Sequence, residues 1–302
     1  MHEMRPSIYT DLALEARELA TASAGELQGV STQVFEEGPL FITRLVIDTP
    51  QGAQAMQRAQ GNYATVDLPH ELVEGDDLYS DAIQHLAELI RDFLPCNSSP
   101  VLVAGLGNEQ VTPDAFGPAV ARRILVTRHL VEGGDPRFAN LFRPVAAVCP
   151  GVLGQTGVES AEMILGVVET VNPCAVIAVD ALAARRLDRL GSTIQITDTG
   201  IMPGGGIGNH RQELTLETLG VPVIGIRVPT VISAATLVAD VLAEAFPQPS
   251  ANPVPGRFAD LFVTPKDIDA QNERVGRMLA FAINLALQED LTLEDLRFYG
   301  AA

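Results

Sequence analysis

Residues 101–118 read VLVAGLGNEQVTPDAFGP. Val101 to Ala104 form an unbroken apolar run that ends in Gly105-Leu106-Gly107-Asn108. A polar loop follows, then Thr112-Pro113-Asp114, then an apolar-periodic stretch over 115–130. A short apolar run closed by a glycine turn predicts a buried strand, and the periodic stretch predicts a helix after it. Asp114 then lies past the C-terminal end of a strand, where ligands and chemistry gather in open α/β sheets. A second apolar run, 175–179, also ends on a carboxylate, Asp180.

Outward from this stretch the pattern is regular. Strands are predicted over 101–106, 144–148, 175–179, 193–197 and 221–228, and helices over 116–130, 159–171, 233–245 and 267–288. Near-continuous apolar strands alternating with helices imply a parallel or mixed sheet covered on both faces. Upstream, strand-like runs over 29–35, 41–47 and 63–68 surround an Ala/Gln-rich stretch at 51–60. They predict a small antiparallel patch, about 29–70, appended to the main sheet. Residues 76–94 are apolar at helical spacing, residues 11–20 are helix-like with Thr10 or Asp11 as N-cap, and 1–10 form an unanchored arm. The proline-rich 248–256 is a linker before the last helix.

The 302 residues are 47% hydrophobic, enough for a sizeable core, and carry a formal net charge of -18. That charge argues against a direct nucleic-acid surface and against an anionic membrane surface. No run is long and apolar enough to span a membrane, and residues 1–9 lack the core of a secretory signal, so a cytoplasmic protein is expected. Cys96, Cys149 and Cys174 form no CxxC and no metal spacing; they read as structural thiols in a reducing interior.

Asp114 alone reads as a helix N-cap; Asp180 alone is harder to dismiss as structural, since burial at the end of an apolar run is costly unless it is paired, with Arg185 or Arg186 as the available partner. Taken together, two carboxylates at the ends of neighbouring parallel strands share one rim and one proton, so one acts as base on a water and the other as acid. A divalent metal held by the pair and a histidine is the rival chemistry, with His210 the one candidate ligand among His2, His70, His85, His129 and His210. The loop PGGGIGN, 203–209, lets a backbone approach a ligand or peptide closely. GLGNEQ lacks the third glycine of a dinucleotide loop, and no GxxxxGK, GxSxG or HExxH occurs. No nucleotide or other cofactor is therefore expected.

The blocks TDLALEARE, YATVDLP, GLGNEQVTPDAFGP, VTRHL, PGVLGQTGVESAEMI, VIAVDALAARRLDRLGSTIQITDTGI, PGGGIGNHR, ETLGVPVIGIRVPTV and VTPKDID closely resemble the germination proteases of spore-forming bacteria. The resemblance runs from about residue 8 to the last helix. It implies a three-layer α/β/α sandwich similar to the hydrogenase-maturation endopeptidases, with a small added β portion. It implies an atypical aspartic endopeptidase, without a metal or other cofactor, that degrades small acid-soluble spore proteins at germination. It places the two catalytic aspartates on Asp114 and Asp180. It further implies a homotetramer, made as a zymogen in the forespore and active in the spore core. Phe116, Gly205 and His210 depart from the commoner Leu, Ser and basic residue, and the last two bear on substrate preference through the Gly-rich loop.

The same resemblance implies cleavage of substrates after Glu in a Thr-Glu-(Phe/Ile)-Ala-like sequence. Thr10-Asp11-Leu12-Ala13 imitates it. Self-cleavage is thus expected between Asp11 and Leu12, separating an arm, 1–11, from a single peptidase domain, 12–302. Repulsion among Asp11, Asp114 and Asp180 would make this step faster at mildly acid pH. Arg185, Arg186 and Arg211 are candidates for reading the substrate carboxylate, and Gly204, Gly206 and Gly208 for cradling its backbone. Two other readings stay open: a metal-dependent endopeptidase on the same fold, and a non-catalytic binding protein for spore DNA-coat proteins.

Overall fold

The described residues of the computed structural model, 10–69, 72, 77–95, 99–133, 138, 141–202, 212–245 and 261–300, form nine strands. In chain order these are β1 (Val30–Glu37), β2 (Leu40–Ile47), β3 (Gly61–Asp67), β4 (Val101–Gly105), β5 (Val145–Val148), β6 (Ala175–Ala184), β7 (Thr193–Thr197), β8 (Val223–Ser233) and β9 (Phe262–Val263). They make one mixed sheet in the order β1-β2-β3-β7-β8-β6-β4-β5, with β9 on the far end of β8. The β5-β4-β6-β8 half is parallel and the β1-β2-β3-β7 half antiparallel. The N-terminal strands are joined to the main sheet through β3 and β7, so the patch expected over 29–70 is the antiparallel flank of one sheet.

Side-chain alternation along the strands makes the three layers. Val101, Val103, Ile177, Val179, Ile224 and Ile226 face one core, shared with the helices Asp77–Phe93, Phe116–Ala121 and Ile268–Leu287. Leu102, Ala104, Val176 and Ala178 face the opposite core, under the helices Ser160–Val171 and Leu216–Leu219. Further along that second face, Leu182, Ala184 and Ile232 pack on Leu12, and Leu45, Ile47 and Tyr63 pack on Ala13 at the start of the helix Ala13–Ala24. Both faces are covered, which is why the parallel strands read as continuous apolar runs.

Several boundaries differ from the sequence expectation. The stretch 51–60 is largely the helix Pro50–Met56, with Thr49 capping it through Gly52 N–H (3.1 Å). The helix expected over 116–130 is two, Phe116–Ala121 and Arg128–Glu132. Asp180 does not end a strand: β6 continues through it to Ala184 because β8, expected to stop at 228, runs on to Ser233 beside it. The linker 248–256 lies outside the described residues. No described helix is long and apolar enough to cross a membrane.

Candidate active site

β4 stops at Gly105, where Leu106 N–H donates to Val179 O (2.8 Å), while β6 and β8 continue together past it. The step so formed opens a cavity of about 360 Å³ whose walls include Asp11, Asp114, Asp180, Ala183 and Arg227.

Asp114 arrives from the short side of the step. It is the last residue of a one-turn 3-10 segment, Thr112–Asp114, and its carboxylate Oδ2 accepts from Asn108 N–H (2.7 Å). The N-cap of the helix Phe116–Ala121 is Ala115, so Asp114 is not the helix cap that its sequence context suggests. Gly107 makes the approach possible. It has φ 118°, and a Cβ there would lie 2.0 Å from the Asp114 carbonyl oxygen. Asn272, on the helix Ile268–Leu287, steadies the segment by donating Nδ2 to Thr112 O (2.9 Å).

Asp180 arrives from the long side. Its register partner on β8 is Arg227, and the register partner of Arg227 on β7 is Gln195. Gln195, Arg227 and Asp180 are thus one polar row across three adjacent strands, on the face that carries Val176 and Ala178. Asp180 is buried, its Oδ2 makes no hydrogen bond, and Arg227 Nε stands 3.9 Å away. Burial pushes its pKa from 3.8 up to about 7; the Arg227 charge opposes this, and the charges of Asp114 and Asp11 add to it.

The segment 10–13 lies across that row. Asp11 N–H donates to Ala183 O (2.9 Å), Ala183 N–H donates back to Asp11 Oδ2 (3.0 Å), and Arg227 Nη2 is 3.6 Å from the same carboxylate. Leu12 is fully buried in its apolar cluster, a burial that contributes about 1.5–3 kcal/mol. Ala13 N–H donates to Gln195 Oε1 (2.6 Å) and Arg58 donates to Thr10 O (2.6 Å). Leu12, not Thr10 or Asp11, is the N-cap of the helix Ala13–Ala24. The Thr10 hydroxyl donates to the buried Glu15 carboxylate, and Glu15 also accepts the N–H groups of Arg185 (2.8 Å) and Arg186 (3.0 Å).

Of the candidate residues, Asp114, Asp180 and Asp11 come together at the cavity. Arg185 and Arg186 do not line it: their main chain anchors Glu15, and the Arg186 side chain is exposed on Asp188 (3.0 Å). The cation beside Asp180 is Arg227 instead. Gly204, Gly206, Gly208, His210 and Arg211 lie outside the described residues, as does Cys96. Cys149 and Cys174 are free, half-buried thiols, and among the described residues no group of three or more His, Cys, Asp or Glu is set to hold a metal ion. Arg227 and Gln195 escape a sequence reading. Their one signal is a charged and an amide residue inside the apolar runs VIGIRVPTV and TIQIT.

The layers, the sheet order and the stepped edge define the class: a three-layer α/β/α protein with two carboxylates at the step where one parallel strand stops and its neighbours run on. Comparison with known proteins narrows this. The germination protease family model matches residues 9–246. The germination protease of Clostridium tetani is 39% identical over 324 residues, covering 97% of this chain and 99% of that protein. That of Caldanaerobacter subterraneus is 42% identical over 315 residues (96% and 97%), and that of Bacillus cereus strain G9842 is 43% identical over 243 residues (78% and 66%). The chain belongs to the germination protease family.

Proposed function

We propose that this peptidase cleaves its substrates by an aspartic mechanism in which Asp114 and Asp180 share one proton and activate a water. The observation that carries the reading is that both carboxylates wall the same cavity that the chain's own Asp11 also lines. Buried Asp180 holds the proton near neutral pH, and Asp114, at the more open side, takes a proton from water as its oxygen attacks the carbonyl carbon. Asp180 gives its proton to the carbonyl oxygen, and collapse of the tetrahedral adduct sends a proton to the leaving nitrogen. The substrates we assign are small acid-soluble spore proteins, met in the forespore and spore core by a homotetramer. The docked segment supports a zymogen reading, with self-cleavage between Asp11 and Leu12.

The test uses the full chain and its Asp114→Asn and Asp180→Asn variants, followed by mass and by cleavage of a spore-protein substrate. The wild type is expected to lose residues 1–11, faster at mildly acid pH, and each variant to stay intact with cleavage down by about 10²–10⁴. Normal cleavage by both variants would overturn the aspartic pair. Loss of wild-type cleavage on chelation would favour the metal-dependent reading, and binding without cleavage the binding-protein reading. Equal processing rates at acid and neutral pH would remove the repulsion trigger.

A further inference from the structure

Beside Asp180, the cavity holds a second charge arrangement that the water-activating pair does not use. Arg227 is nearly buried, with its side chain 11% exposed, and it faces two carboxylates: Asp180 at 3.9 Å from Nε and Asp11 at 3.6 Å from Nη2. The same oxygen of Asp11, Oδ2, accepts from the N–H of Ala183. The N–H of Asp11 is spent on Ala183 O, so one residue of β6 holds Asp11 by both backbone and carboxylate, while Arg227 reaches that carboxylate from β8.

We infer that Arg227 and the Ala183 N–H form the subsite that reads an acidic side chain immediately before the scissile bond. This rests on the endopeptidase reading and deepens it. When residues 1–11 depart, Asp11 departs with them. Arg227 then loses one of its two carboxylates, and a buried N–H on β6 loses its acceptor. A substrate carboxylate restores both at once. A glutamine side chain can accept from Ala183 but leaves the guanidinium with Asp180 alone, and an apolar side chain satisfies neither group. Arg227 touches the substrate in this assignment and also neighbours Asp180, so its two duties must be separated by experiment.

Two peptides identical except for Glu or Gln before the cleaved bond are compared with the processed wild type, Arg227→Gln and Arg227→Lys. The wild type is expected to favour the Glu peptide by about tenfold or more in kcat/KM, most of it in KM. Arg227→Gln is expected to erase that preference, and Arg227→Lys to restore part of it. If Arg227→Gln slows both peptides equally and keeps the preference, the assignment is overturned and Arg227 only supports Asp180. Should Arg227→Gln cut neither peptide, anisotropy of labelled peptides on the folded variant decides: equal binding of Glu and Gln peptides supports the assignment, and retained preference overturns it. A wild type that cuts neither peptide would instead bring down the endopeptidase reading itself.

Discussion

Asp114 and Asp180 wall one cavity, but they are built in opposite ways. Asp114 sits on a turn after a five-residue strand, half exposed, with its carboxylate fixed by Asn108 N–H and its backbone let in by Gly107. Asp180 sits in the middle of a ten-residue strand, buried, with one oxygen lacking any hydrogen bond and a guanidinium just beyond reach. The first is positioned by local backbone geometry and the second by sheet register. A carboxylate on a turn can be displaced by one methyl group. A carboxylate within a sheet responds to protons more than to geometry.

Among variants that keep both aspartates, the largest expected effect tests the turn. Gly107→Ala puts a methyl group 2.0 Å from the Asp114 carbonyl at a φ that side chains rarely adopt, and is expected to lower kcat/KM by about 10²-fold through misplacement of Asp114. Gly154→Ala, where an added Cβ meets nothing within 4 Å, is the control and should leave cleavage unchanged. Equal activity in the two variants would break the contrast.

A middle-sized effect tests the sheet side. The folded chain holds a proton on Asp180 up to about pH 7, whereas the unfolded chain releases it near pH 3.8. Between those values the folded state binds more protons, so this group's contribution is full below the lower value and is lost as pH rises through the upper one. Asp180→Asn removes that slope. Thermal melts from pH 4 to pH 8 should show the variant gaining stability relative to wild type as pH rises; parallel curves would mean that burial does not hold the proton. The smallest effect is that of Asn272→Ala, which deletes one bond to Thr112 O at a cost of about 1 kcal/mol. It should reduce kcat by only a few-fold and leave the pH dependence of stability unaltered.

How much of this was legible in the chain follows from the same contrast. Asp114 and its glycine turn are contiguous, so VLVAGLGNEQVTPDAFGP announces them. Only the cap reading misleads, because Asn108, not the helix, meets the carboxylate. Asp180 is visible as a charge after an apolar run, yet it looked like a strand end because a lone buried carboxylate is costly. β8 overrides that cost by pairing along β6 to Ala184, with a register shift between Leu182 and Ala183. Arg227 and Gln195 were invisible as site residues because they fall in the row of Asp180 only through the order β7-β8-β6, which no local pattern encodes. The candidates Arg185 and Arg186 were near in sequence but do not line the cavity, and their main chain is given to Glu15.

The docked segment also has a consequence for the order of events during synthesis. Asp11 meets a partner 172 residues downstream, and Ala13 meets one 182 residues downstream. Residues 10–13 leave the ribosome early; Arg58 and the strands β2 and β3 can meet Thr10 and Ala13, but Asp11 and Leu12 have no seat until β6 and β8 have emerged and paired. Contacts this far apart in sequence close late, after the local helices have formed. A seated N-terminal segment is therefore a certificate of a finished sheet: a chain stalled or misassembled anywhere before residue 227 cannot bring its own Asp11 to Arg227.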